Sequence, residues 1–193
     1  MNRFLILFLL FISIIPTYSQ ENDKGDNAKL VLYKAPTDTL IVNVKNVYPF
    51  GLDNMDVASS YAAGKVWLYE NGKPVSIQAH TIKYLEFVDR KDKLRTFTYD
   101  DRLKMKNLTE IVVSGTISFY INIQLAGGYG QYRNANRFLE KDGQIIHLKG
   151  ARKKFKEKIK ELMIDQPDFQ NKLNNKKLDH EEILAVIREY NAL

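Results

Sequence analysis

The chain has 193 residues, of which 45% are hydrophobic, 27% charged and 11% aromatic, with ten glycines, five prolines and a formal charge of +6. This composition fits one or at most two globular domains, being too apolar for a disordered chain and too poor in glycine and proline for a fibrous one. Cysteine is absent, which excludes disulfide scaffolds, thiolate metal sites and cysteine nucleophiles.

In chain order, residues 1–19 read as an export signal. Arg3 supplies a positive start, and residues 4–15 form an apolar run broken only by Ser13 and ended by Pro16. A spanning helix needs about 20 apolar residues, so a run this short fits a signal h-region. Thr17 and Ser19 are small residues three and one before a cut that makes Gln20 the new amino terminus and leaves 174 of the 193 residues. A bacterial lipid anchor would need a cysteine at the cut. The expected product is periplasmic or secreted, with no transmembrane span after cleavage.

Residues 20–29 are polar and read as a flexible leader. Residues 30–149 are expected to form an antiparallel β body, because apolar residues recur at spacing two between hairpin signals. Asn71-Gly72 separates two short apolar runs and tolerates the positive φ of a type I′ turn, and Asp142-Gly143 repeats the signal. Pro74 has no ladder N–H to donate, which places its strand at an edge. Residues 29–33 and 40–44 make another pair, as do 82–88 and 94–99, and 109–113 pairs with the strand that follows. That strand, residues 117–124, has apolar odd positions and polar even ones, predicting one core face and one face toward water or a partner. Residues 48–64 stay unassigned between loop and helical turn. The absence of intervening helices predicts a meander, small sandwich or barrel, and with the tail an α+β fold.

Residues 150–193 change to helical period and predict three short amphipathic helices packed on the body. Phe155, Ile159, Leu162 and Met163 share one face. Asp165-Gln166-Pro167-Asp168 stops the first helix and starts the second, whose inward pair is Phe169 and Leu173. Asp179 and Glu182 predict a capping box for the third, with Leu178 stapling onto Ile183 and with Ile183, Leu184, Val186, Ile187 and Tyr190 buried.

The strand Ile82-Lys83-Tyr84-Leu85-Glu86-Phe87 and the tail Phe155-x3-Ile159-x2-Leu162-x2-Asp165-x-Pro167, with Lys177-Leu178 and Tyr190-Asn191, resemble an uncharacterised family of small secreted bacterial proteins. The resemblance implies export and the α+β class. It implies no activity and no site.

Catalytic signatures are missing from the sequence. His80, His147 and His180 have no metal-ligand spacing and no evident partner. No nucleophile elbow or phosphate loop occurs, and no cofactor or metal is implied. The Gly127-Gly128-Tyr129-Gly130 stretch lacks the third glycine and the helix of a dinucleotide site. Asp100-Asp101 reads as a turn, since neighbours on a strand face opposite ways; Asp53 and Asp56 lack the pattern of a calcium loop. Asn107-Leu108-Thr109 is a glycosylation sequon.

Two segments are candidate binding sites. Residues 129–137 place Tyr129, Tyr132, Arg133 and Arg137 with two asparagines on a glycine-hinged loop, the groups that stack on and hydrogen-bond to sugars or peptides. Residues 149–160 carry seven basic residues and one acid, and Lys153, Lys156 and Lys160 form a stripe that suits an acidic surface. Against these stand a polar crossover packed on the sheet and a solvated helix face, with Glu157 and Glu161 at pairing distance from lysines. Nucleic acid is not an expected partner, and the sequence carries no signature of oligomeric state. The expected function is an exported accessory or binding protein of the cell envelope, contacting glycan, peptide or an acidic surface. The alternative is a secreted hydrolase with a carboxylate-based site in the β body.

Overall fold

The computed structural model describes residues 25–46, 61–126, 132–148, 152–174 and 178–193, with backbone alone at 125, 126, 132, 133, 152 and 153. The expected signal segment, its cleavage position, Asp53, Asp56 and Tyr129 lie outside the described residues. The strands are β1 (Asp26–Leu32), β2 (Ala35–Val44), β3 (Lys65–Glu70), β4 (Lys73–Gln78), β5 (Ile82–Val88), β6 (Leu94–Thr98), β7 (Thr109–Val113), β8 (Ile117–Ala126), β9 (Tyr132–Lys141) and β10 (Gln144–Leu148). They form one antiparallel sheet in the order β10-β9-β8-β7-β6-β5-β1-β2-β3-β4. Three helices follow: α1 (Arg152–Leu162), α2 (Pro167–Lys172) and α3 (His180–Asn191). No helix among the described residues is long and apolar enough to cross a membrane.

Hairpin chemistry sets the local order. Asn71 and Gly72 have φ of 50° and 75°, and Asp142 and Gly143 have 52° and 76°, the two successive positive values that a type I′ turn needs. Pro74 lies on β4, an edge strand, as its missing N–H requires.

Connection length then curls the sheet. In a flat sheet, four intervals of about 4.8 Å would hold β4 about 19 Å from β5. The link between them is the 3-10 turn Ala79–Thr81, whose four Cα steps reach about 14 Å at full stretch. The first five strands must therefore bend toward closure. Two contacts fasten the bend: Ala79 N–H donates to the Gly64 carbonyl at 2.9 Å, and Tyr33 N–H donates to the Thr81 carbonyl at 3.0 Å. Further along, a Cβ on Gly64 would stand 2.9 Å from the Lys106 carbonyl oxygen. Inside the curl, Leu30, Val44, Tyr61, Val66, Leu68, Ile82, Leu85, Phe87 and Phe97 make one buried cluster with Leu108 and Ile123.

Three expectations about this body are corrected, and part of the unassigned stretch is placed. The leader ends earlier than residue 29, because β1 begins at Asp26 and buries Ala28. Its polar look comes from Asn27 and Lys29, which alternate outward. The stretch 48–64 contributes Tyr61, which is buried edge-on against Phe97 at 4.9 Å. Residues 132–137 are not a loop but the first half of β9, paired residue for residue with β8. The even face of β8 is covered, with Ser118, Tyr120 and Asn122 all buried, by the segment between β6 and β7.

That segment is held by amides and an arginine. Asn107 donates from Nδ2 to the Ile123 carbonyl at 2.7 Å, and Asn122 Nδ2 donates to Asn107 Oδ1, the Leu108 carbonyl and Thr109 Oγ1 at 3.0–3.1 Å. Asn107 is 2% exposed, so the sequon points into the protein and is closed to a glycosyl transfer. Leu103 packs on Tyr120 and Phe138.

The tail docks as its periodicity requires. Phe155, Ile159, Met163, Phe169 and Leu173 are buried with the five expected residues of α3 against Val113, Ile117, Phe119 and Leu139, and Leu178 joins them. The Asp179–Glu182 capping box is present in both directions. Two adjacent polar residues finish the docking. Asn191 accepts from Ile117 N–H at 2.8 Å and donates to the Ile117 and Ser114 carbonyls. Tyr190 and Asp165 share the Lys141 ammonium, which also donates to the Leu162 carbonyl at 2.6 Å. Lys141 stays a firm cation: burial pulls its pKa down, but the Tyr190 and Asp165 partners more than reverse that.

Candidate functional site

The described residues of the two sequence-derived candidates lie on β9 and α1. Tyr132 and Arg133 stand in β9 opposite Ala126 and Leu125, and Arg137 is exposed between Ile121 of β8 and Leu148 of β10. Lys153 lies in the first turn of α1 and Lys156 further along it, half-buried. Lys160 donates its ammonium to Asn174 Oδ1 while its carbonyl accepts from Gln170. Lys158 pairs with Glu161, as the helical spacing predicts. The basic helix is thus knitted partly into its own tail.

The histidines have aromatic neighbours that the sequence does not announce. His147 stacks on Phe138 with centroids 4.7 Å apart, and His180 lies 5.4 Å from Phe155 and 5.8 Å from Phe119. Among the described residues no group of three His, Asp or Glu side chains is placed to hold a metal.

Two carboxylate pairs assemble, each around an arginine. Arg95 on β6 is buried and grips Glu110 of β7 through Nε and Nη2, both at 2.7 Å, while Nη1 reaches Asp89 at 3.1 Å. Burial alone would raise the Asp89 pKa. The N–H groups of Lys91 and Lys93 and the Arg95 guanidinium outweigh it and hold the carboxyl below its ordinary range. The second pair is Asp100 and Glu140, bridged by Arg102 at 2.7 Å to each. Asp100 caps the 3-10 turn Asp101–Leu103, so the expected turn is its role. Burial pushes its pKa up, but the Arg102 side chain and N–H pull it down further. Tyr120, buried and donating to Glu140, is pushed up to about 12. Asp89 and Asp100 are thus held below the ordinary carboxylate range by their arginine partners, whereas a general acid needs its proton near neutral pH.

A different surface gathers recognition chemistry. In the segment Lys65-Val66-Trp67-Leu68-Tyr69, Val66 and Leu68 are buried, so alternation turns Lys65, Trp67 and Tyr69 outward together. Trp67, the chain's one tryptophan, is 41% exposed. Ladder partners fill in the same face: Ser76 opposite Trp67, Pro74 and Asn43 opposite Tyr69, and Asn27 opposite Asn43. Lys45 is tied to this face through its N–H to the Trp67 carbonyl at 2.8 Å, and its ammonium stands 5.7 Å over the Tyr69 ring. The β2–β3 ladder ends at Asn43–Tyr69. Beyond it the strands part around a cleft of about 330 Å³ lined by Asn27, Ile41, Asn43, Leu68, Tyr69 and Glu70. Ile41 on its rim is 73% exposed.

The sequence pattern puts Trp67, Tyr69 and Asn43 in strands, assigns Asn27 to the leader and leaves Lys45 and Lys65 outside the expected strands. The signal available was the parity of the two aromatics, which share the wet side of a strand with a lysine. Comparison with known protein families, curated proteins and solved structures finds no match.

Proposed function

We propose that the chain is an exported binding protein of the cell envelope that works without catalysis, and that the Trp67–Tyr69 face is its contact surface. The observation that carries the reading is that face itself: two aromatics, an exposed isoleucine and a cleft stand on the solvent side of β2 and β3, whose other side buries Val44, Val66 and Leu68. Large apolar groups gathered outward with polar neighbours mark interaction surfaces. Export rests on the charged start, short apolar run and small-residue cut of residues 1–19. The arginine-clamped Asp89 and Asp100, both held below the ordinary carboxylate range, favour binding over acid–base hydrolysis.

The test is cosedimentation of the purified protein with isolated envelopes of its source cell. The wild-type protein is expected in the pellet and Trp67→Ser in the supernatant, with both variants equally folded by circular dichroism. Equal pelleting of the two, or none by the wild type, removes the face as the contact surface. Mass spectrometry of protein recovered outside the cytoplasm should find an amino terminus at or near Gln20; intact Met1 there overturns the cleavage.

A further inference from the structure

Resting on the reading just given, we infer that the Trp67–Tyr69 face binds an acidic polysaccharide, a chain of sugars carrying uronate carboxylates, laid along the outer side of β3 with one unit in the adjoining cleft. Residues two apart on a strand stand about 6.5 Å from one another, so Trp67, exposed, and Tyr69, half-buried, stand side by side on one face. A pyranose matches such a surface, having an apolar C–H face and a polar rim. The ladder neighbours Ser76 and Pro74 are small, so no bulky side chain from β4 stands over the aromatics. For the rim, Asn27 and Asn43 supply amide donors and acceptors inside the cleft, whose volume falls at the lower end of the ~300–1,000 Å³ range of small-ligand sites.

Charge selects the class of sugar. Lys65 precedes Trp67 by two residues on the same face, and Lys45, the residue after β2, reaches over Tyr69, so cations flank both rings. Glu70, the acid among the described lining residues, stands opposite Lys73 in the β3–β4 register, on the side of Tyr69 away from Trp67. A carboxylate on the sugar would therefore meet Lys45 and Lys65. An extended peptide is the weaker fit: strand addition uses a free sheet edge, whereas β3 is paired along all six residues with β4 and presents its recognition groups from its face.

The single tryptophan makes the test direct, because its emission reports this face and no other. Full-length protein is titrated with oligogalacturonate, with the same oligomer fully methyl-esterified, and with polyglutamate. The expected result is a saturable change in Trp67 emission with oligogalacturonate alone. Its dissociation constant should rise about tenfold in the Lys45→Ala/Lys65→Ala double variant and with added salt, as flanking charges require. Tyr69→Ala, which keeps the fluorophore, should weaken binding while the protein stays folded by circular dichroism. An equal response to the methyl ester overturns charge selection, and an equal response to polyglutamate overturns sugar recognition. Silence with all three overturns the inference as well. Envelope cosedimentation that still depends on Trp67 would then leave the binding-protein reading standing, and its failure would remove both.

Discussion

The two ends of the sheet are built to different rules. β8 is buried on both sides: its odd residues lie under the helices and the curled core, and its even residues lie under the segment from Leu103 to Asn107. β3 is buried on one side only, with Val66 and Leu68 inside, Lys65 and Trp67 exposed on the other side and Tyr69 half-buried beside them. Side chains on β8 are thus fixed by packing and hydrogen bonds, while on the outer side of β3 Lys65 and Trp67 stand in solvent and Tyr69 carries Lys45 over its ring. The contrast separates the residues that make the fold from those free to serve recognition.

Breaking the enclosed end should cost most. Arg95→Ala leaves Asp89 and Glu110 buried without their cation and should lower stability by about 3–5 kcal/mol, read as a drop in the urea midpoint. A loss below about 1 kcal/mol would mean that water reaches the cluster. Ile187→Ala, deep in the tail's packing, should cost about 2–5 kcal/mol; an unmoved melting midpoint would show that the tail does not contribute to the fold.

Acid sharpens the comparison. Asp89 has a folded pKa below its ordinary value, so the unfolded chain binds its proton first as pH falls. Its contribution is complete above about pH 5 and is lost as pH drops through about 3.9 toward the folded value. Asp89→Asn should flatten stability against pH across that window, and a profile parallel to wild type would remove the assignment. At the open end the effect should be smallest: Trp67→Ser should leave unfolding free energy within about 0.5 kcal/mol of wild type. A larger loss would make the tryptophan a packing residue.

Legibility followed the range of the interaction that decides each element. The buried faces, proline start and capping box of the tail were readable because each lies within one or two turns of sequence. Asn71-Gly72 and Asp142-Gly143 fixed their hairpins for the same reason. The even side of β8 read as wet because its cover comes from Leu103 and Asn107, and a polar Asn122 looks like a surface residue until its three donor contacts are known. Asn27 and Lys29 disguised β1 as a leader, since the strand's outward residues are the polar ones. The candidate face needed parity and register together: Trp67 and Tyr69 share a side by alternation, but Asn43, Asn27 and Lys45 join them only through ladders that no local pattern specifies.

The strand order has a kinetic consequence. Read from its middle, the sheet is two meanders, β1 to β4 and β5 to β10, each pairing every strand with its successor and joined by the β1–β5 ladder alone. Lys29 and Glu86, which meet across that seam, are 57 residues apart in the chain. Closing a loop of that length costs about 2 kcal/mol more in chain entropy than closing a five-residue hairpin. The shared core around Leu30 and Leu85 cannot assemble until it closes. The seam is therefore expected to be the late, rate-setting event of folding, with the neighbour-to-neighbour hairpins already formed on either side. Pulsed hydrogen exchange should protect β8 and β9 amides before those that bridge β1 and β5; simultaneous protection would mean that the meanders have no separate existence on the way to the native state.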